Sequence, residues 1–565
     1  MTQVHEGKLE KEFEIKASAE IFKLFQVITG SIVQRALGES GARAAAVNPD
    51  LADLVRREQD ASKQLNALRT ILSNVLAMPP DQQNPDALKD LHARIDALNS
   101  ARTTLIDEIK IRFPKYTDFT NPQPVTLSQL QNHLRPDEVL ISIYTASNKT
   151  YVWAIPHNGE VRFSAVDLAK KQLRQIVAKL RRALDPEPAV FGDIPEFDLT
   201  QAYDLYIELL KPVEKGWKNA TDLLIVAHGP LGQLPFSALP TAPIRLSQEK
   251  GELFGNYRKV PWLIRKVSIT RLPSASSFIT LRTLPEANPS RKAFIGFGDP
   301  FFNPEQLARA KKGRTTLKDN LASQETKLHI RGIRITKTGN LDSENITSSH
   351  LDSLNRLPDT AQEIKSIAQA LGADLATDIF TGEKASERQV KSMDLSDWRV
   401  IAFATHALLP GDLDGLDQPA LALCSPSVTG DDEDGLLTMG EIMKLRMNAD
   451  WVVLSACNTG AANGAGAEAV SGLGRAFFYA GTRAILVSMW PVETTSARKL
   501  TSDLFGFQKE DKNLSRARAL RKSMLELIDG PGFKDQATGK IVASYAHPLF
   551  WAAFILMGDN GIDVN

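Results

Sequence analysis

Apolar positions change their period twice along the chain, and each change marks a part. Within residues 1 to 125, Leu51, Leu54, Leu65, Leu68, Leu72, Val75 and Leu76 form one helical stripe. Leu88, Leu91, Ile95, Leu98, Leu105 and Ile109 form a second at near-heptad spacing. Met78-Pro79-Pro80-Asp81 interrupts them, because proline cannot continue a helix interior. The pattern predicts an antiparallel helical hairpin, serving as a packing or dimer element or as a partner-docking surface.

From 126 to 285 the period becomes that of alternating strands and helices. Val139 to Tyr144 and Tyr151 to Ile155 read as strands, with His157-Asn158-Gly159 as a hairpin signal. Leu168 to Leu184 reads as a basic amphipathic helix whose Lys170, Lys171, Arg174, Lys179, Arg181 and Arg182 form a solvated face. Leu223 to Ala227 is a buried strand leading into His228, which reads as structural.

From 286 to 565, Ala293 to Gly298, Val400 to Thr405, Leu421 to Leu423, Trp451 to Ala456 and Ala484 to Ser488 read as strands. Thr360 to Leu371 and Val470 to Ala480 read as helices between them. The fold class is therefore α/β, with a mostly parallel sheet flanked by helices. A second α/β region and an N-terminal helical segment precede it. Pro304 to Leu357 reads as an irregular basic stretch, either a mobile surface loop or a regulatory or self-cleaved one.

Composition narrows the classes. Lys plus Arg and Asp plus Glu both total 67, so no global charge steers the chain to nucleic acid or membrane. No apolar run is long enough for a spanning helix, and the first residues lack a secretory apolar region. The two cysteines, Cys424 and Cys457, make neither a disulfide framework nor a Cys-rich zinc site, so no metal and no cofactor is expected. A reducing cytoplasm is the expected location. Gly472-Leu473-Gly474 lacks the full dinucleotide fingerprint.

The chemistry concentrates at two strand ends. Cys457 follows the Trp451 run and His406 follows the Val400 run, so both fall where open α/β sheets bind ligands. The His–Cys separation of 51 positions resembles that of caspase-type peptidases. A thiol near its ordinary pKa is mostly protonated at neutral pH, and a neighbouring imidazole can take the proton and later return it to a leaving amine. The backbone N–H groups of Cys457 and Ala407 are candidates for stabilising the oxyanion. Cys424 lacks such a setting and reads as packing.

Several ordered motifs carry a family resemblance. They are Thr405-His406-Ala407, Leu416-Asp417-Gln418-Pro419-Ala420-Leu421, Asp434-Gly435-Leu436-Leu437-Thr438, Ala449-Asp450-Trp451-Val452-Val453-Leu454-Ser455-Ala456-Cys457-Asn458-Thr459-Gly460 and Arg475-Ala476-Phe477-Phe478-Tyr479-Ala480-Gly481. Gly229-Pro230-Leu231-Gly232-Gln233-Leu234-Pro235-Phe236 and His547-Pro548-Leu549-Phe550-Trp551-Ala552 extend it. Together these resemble the CHAT-domain proteases, bacterial caspase-like cysteine peptidases related in fold to separases. The resemblance implies a caspase-like α/β fold, a dyad of His406 and Cys457, a protein substrate, and regulation by a partner or helical-repeat sensor. Ala407 stands where caspase-type peptidases usually have glycine, no 34-residue repeat is visible in residues 1 to 125, and His547 reads as structural. Asp412, Asp414 and Asp417 beside His406, with Asp431 to Asp434, suit a basic residue before the scissile bond, although surface charge explains them equally well. A catalytically silent scaffold and a non-proteolytic acyl transferase or hydrolase are the competing readings.

Overall fold

The computed structural model describes residues 16–29, 49–76, 84–112, 124–186, 188, 190–247, 251–285, 287–313, 351–410, 412–413, 416, 418–455, 473–474, 476–535 and 538–561. In chain order the strands are β1 Glu138–Thr145, β2 Thr150–Pro156, β3 Arg162–Val166, β4 Asp222–Ala227, β5 Ser268–Arg271, β6 Lys292–Pro300, β7 Ile379–Gly382 and β8 Trp398–Ala404. They continue as β9 Ala407–Leu408, β10 Ala420–Ala422, β11 Leu436–Thr438, β12 Trp451–Leu454, β13 Ala484–Ser488, β14 Phe533–Lys534, β15 Ile541–Ala543 and β16 Phe554–Gly558. Eleven of them form one sheet in the order β3-β2-β1-β4-β5-β16-β13-β12-β8-β6-β7.

Only β1–β2, β2–β3 and β13–β16 pair antiparallel in that sheet, so it is mostly parallel. The antiparallel step at β16–β13 has a topological consequence. On one side of it β1, β4, β5 and β16 point one way; on the other, β13, β12, β8, β6 and β7 point the opposite way. The sheet therefore has two carboxyl edges on opposite sides of the molecule. The narrowest joint lies within the first half, where β5 and β16 share the single register pair Arg271 and Met557.

Helices cover both faces. One apolar cluster joins Ile225, Val400, Trp451 and Leu486 to helix residues Leu500 and Leu520, and another joins Leu224, Ile401, Val452 and Ile485 to Phe477 and Phe478. Alternate residues of the central strands thus feed two cores, which is why these strands read as continuous apolar runs. Helix Pro358–Leu371 lies close to β6: a Cβ on Gly296 would fall 2.6 Å from Ile364 Cγ2, so glycine is needed there.

At the N-terminal side, helix Ala17–Thr29 lays Phe22 and Phe25 on Trp153, Tyr144 and Tyr151. Trp153 donates its indole N–H to Ser18 O at 3.1 Å. Helices Pro49–Leu76 and Pro85–Arg112 pair through Glu58 with Arg102 and Asn99 with Arg69, contacts whose reversed order makes the pair antiparallel. The Met78-Pro79-Pro80-Asp81 break lies outside the described residues. This pair meets the body of the protein at Tyr479, whose hydroxyl donates to Gln59 Oε1 at 3.3 Å and whose ring lies 4.1 Å from Lys63 Nζ.

Two expectations are corrected. The stretch read as irregular begins with a helix, Pro304–Gly313, and ends with the ordered turn Leu351–Ser353; residues 314–350 lie outside the description. The Leu421 strand is not part of the parallel sheet. It is β10, the centre of a separate antiparallel sheet in the order β11-β10-β9. Among the described residues, no helix is long and apolar enough to cross a membrane.

Candidate active site

β8 runs through the middle of its half-sheet, and His406 follows its end, fully buried. Its Nε2 lies 2.7 Å from the main-chain carbonyl of Asn355, and its ring lies 5.5 Å from that of Phe302. A carbonyl can only accept, so Nε2 carries the hydrogen and neutral His406 has its basic lone pair on Nδ1.

The segment that supplies this carbonyl is held on all sides. Asn303 donates to Asp352 O and Gln306 to Leu354 O, both at 2.8 Å, while Ser425 Oγ donates to the Asp352 carboxylate at 3.1 Å. Next to Asn355, Arg356 grips Asp299 with two bonds of 2.8 and 2.6 Å and lies over the Phe301 ring. Asp299 takes a left-handed φ of 49°, and its N–H donates to Thr360 Oγ1 at 2.8 Å. Burial lifts the Asp299 carboxyl above its ordinary range, with Arg356 pulling the other way. Replacing Arg356 by alanine leaves a buried carboxylate unpaired and loosens the Asn355 carbonyl. The expected loss is about 2 kcal/mol in urea unfolding, discounted because Arg356 is partly exposed, with Asp299→Asn recovering part of it.

Ala407 opens β9, opposite Leu421 of β10. The Ala422 N–H donates to His406 O at 2.9 Å, so the next residue, Ala407, turns its N–H away from β10. Its backbone is ordinary: Phe254 and Asp299 are the non-glycine residues with positive φ among those described. The glycine usual at this position is therefore not required by the backbone here.

β12 lies beside β8, with Leu454 paired to Phe403. Ser455, just past β12, donates its N–H to Phe403 O at 3.0 Å and its hydroxyl to Glu363 at 3.1 Å. Glu363 is fully buried in helix Pro358–Leu371 and also accepts from Thr501 Oγ1 at 3.0 Å, tying the strand end to helix Thr494–Glu510. Cys457 lies outside the described residues.

The other predicted residues separate clearly. Cys424 is buried, and burial pushes its thiol up to about 12, so it stays protonated at neutral pH. Asp412 accepts the Leu409 N–H at 2.7 Å, closing its own turn, and burial raises its carboxyl. Asp414 and Asp417 lie outside the described residues. The acids at 431 to 433 have local partners: Arg388 stands 3.8 Å from Asp431 and 3.7 Å from Asp432, while Lys391 Nζ binds Glu433 at 2.6 Å. Lys391 also binds Glu387 and Glu441, so that acidic cluster already holds a cation of its own.

Neither His228 nor His547 joins His406. His228 follows β4 at the opposite edge of the sheet, its pKa pushed down to about 4 by burial and by Arg271. His547 caps a short helix, its Nδ1 accepting the Leu549 N–H at 3.2 Å, among Phe254, Tyr257 and Phe550. Burial pushes His547 down to about 3.

The parts of the site that composition did not reveal are Asn355, Arg356, Asp299 and Glu363. Asn355 acts through its main chain, for which no side-chain signal exists. A buried glutamate in a helix facing a strand-end serine could have been noticed only once the pairing of elements was known.

A mostly parallel sheet flanked by helices, with an imidazole beyond the carboxyl end of a central strand, defines an α/β protein. The chain belongs to the CHAT-domain family, which matches residues 200–559. No curated protein matches the chain. Solved structures similar to it include the Saccharomyces cerevisiae separase–securin complex, at 10% identity and a TM-score of 0.39, covering 88% of this chain and 37% of that one. Another is the complex of Porphyromonas gingivalis RgpB pro- and mature domains, at 11% identity and a TM-score of 0.33, covering 70% of this chain and 77% of that one. The match thus spans little more than a third of the separase chain.

Proposed function

We propose that the chain is a cysteine endopeptidase in which Cys457 is the nucleophile and His406 its acid–base partner. The observation that carries this reading is the 2.7 Å contact of His406 Nε2 with the Asn355 carbonyl, which leaves Nδ1 as the base. Register supports the pairing. Leu454 of β12 stands opposite Phe403 of β8, and in the sequence Cys457 and His406 each follow three positions later.

In the first step the Cys457 thiol proton passes to His406 Nδ1, and the sulfur attacks the peptide carbonyl carbon. As the carbon–nitrogen bond breaks, Nδ1 returns the proton to the leaving amine, and a thioester remains. Water, deprotonated by the same nitrogen, then releases the acid and restores the thiol. The outward N–H of Ala407, with that of Cys457, would stabilise the oxyanion. Glu363 and the Asn355 segment act as positioning groups.

Full burial of His406 favours a restrained ground state, because substrate must reach that ring. The paired helices touch Tyr479, which falls between β12 and β13 in the chain, and a protein partner docking on those helices would act through this contact. Binding changes activity only by favouring the open arrangement over the closed one, and tenfold activation needs about 1.4 kcal/mol of such preference. Burial of His406 equally suits a silent scaffold, and trapping separates the two. A peptide carrying a thiol-reactive electrophile, offered with and without candidate partners, is expected to label Cys457, with partner raising the rate; chelators leave turnover unchanged. Loss of turnover in chelator that zinc restores would refute the thiol mechanism, and absence of label under every condition would favour the scaffold.

A further inference from the structure

The second carboxyl edge of the sheet carries a buried cation of unusual standing. Arg271 ends β5 with only 7% of its surface exposed. Its Nη1 donates to Leu231 O at 3.3 Å and Leu234 O at 3.1 Å, its Nη2 to Leu231 O at 3.3 Å, and the guanidinium lies 5.5 Å from the Phe236 ring centre. No carboxylate among the described residues pairs with it. The comparison with other buried arginines is direct: Arg291 pairs with Asp450, Arg516 with Asp559, Arg181 with Asp185 and Arg282 with Glu138. Carbonyl dipoles orient Arg271 without cancelling its charge, and an uncompensated buried charge is costly.

Arg271 also lines a cavity of about 20 Å³ between β5, β16 and helix Arg516–Asp529. Ile269, Leu520, Met524 and Phe554 make its walls apolar, and Arg521 also lines it, its Nε and Nη2 donating to the Ile264 and Arg265 carbonyls at 2.7 and 2.5 Å. That volume admits one water-sized ligand, enough for a monatomic ion. Lining of this kind, apolar with two cations and no acid, selects for negative charge.

We propose that this cavity binds one halide-class anion, chloride in solution, with Arg271 as its principal partner and Arg521 as the second cation. The bound ion supplies the missing counter-charge where the sheet is thinnest, because Arg271 is the residue through which β5 pairs with β16. It therefore helps hold β5 to β16. This site is separate from the peptidase reading and stands or falls without it.

The decisive experiment uses crystals of the unmodified chain grown or soaked in bromide. An anomalous peak within hydrogen-bonding reach of the Arg271 guanidinium is expected, and its absence at full bromide occupancy elsewhere in the lattice would overturn the proposal. In solution, thermal unfolding at constant ionic strength compares bromide with gluconate, which is too large to enter. The midpoint should rise by about 1 °C for each tenfold increase of bromide above its Kd, and Arg271→Gln should abolish the rise. An equal rise in Arg271→Gln refutes the site. Should that variant fail to fold, the bromide map of the unmodified chain still decides.

Discussion

Cys457→Ala is expected to reduce peptide cleavage by roughly a thousandfold or more, because the covalent step has no substitute once the sulfur is gone. His406→Ala should fall nearly as far, and the double variant little further, since members of one catalytic unit are not additive. Cys424→Ser should keep most activity: that thiol, raised to about 12, is protonated and buried. Circular dichroism and a urea curve for each variant separate lost chemistry from lost folding. Robust turnover by Cys457→Ala would remove the nucleophile from the scheme, whatever the state of His406.

The second large effect is on acid stability. His547 has a folded pKa of about 3 against about 6.5 when unfolded, so it is depressed by folding. Below pH 6.5 the unfolded chain takes up a proton that the folded chain refuses, and stability falls as pH falls until the folded pKa is reached. The loss is about 1.4 kcal/mol per pH unit, hence about 2 kcal/mol between pH 6.5 and 5. His547→Asn keeps an oxygen to accept the Leu549 N–H and cannot titrate. Its urea midpoint should therefore depend less on pH over that interval, by an amount equivalent to about 2 kcal/mol. Parallel curves for the two proteins would assign the acid sensitivity to other groups.

The apolar runs were legible because buried parallel strands leave a mark that no surface element imitates. Val400 to Thr405 overlaps β8, Trp451 to Ala456 contains β12, and Ala484 to Ser488 is β13 without change. The motifs around His406 and Cys457 identified the family from residues alone. Strand order was not legible, because nothing in Phe554 to Gly558 says that it inserts between β5 and β13. Helix Pro304–Gly313 escaped because Ala308, Lys311 and Lys312 were read as part of one basic stretch rather than as good helix formers after a proline start. The short β10 run was assigned to the wrong sheet because three apolar residues have no period by which to tell a central strand from a small antiparallel one. The Asn355 carbonyl lies beyond any reading of side chains, since every residue carries one.

Placing β16 between β5 and β13 also sets a timetable for synthesis. Arg271 must wait for Met557, 286 positions later, before its strand acquires a neighbour on that side. At roughly 5–20 residues per second, a ribosome takes on the order of ten seconds to a minute to cover that distance. Throughout the interval β5 presents an unpaired edge, and β13 joins it as a second once it emerges; such edges recruit other strands unless a chaperone shields them. The half-sheet bearing His406 can pair its own strands earlier, but its junction with the first half must await the emergence of β16. The nascent chain therefore passes through a period in which its two halves are translated yet unjoined, and folding yield should depend on what covers those edges at the ribosome exit.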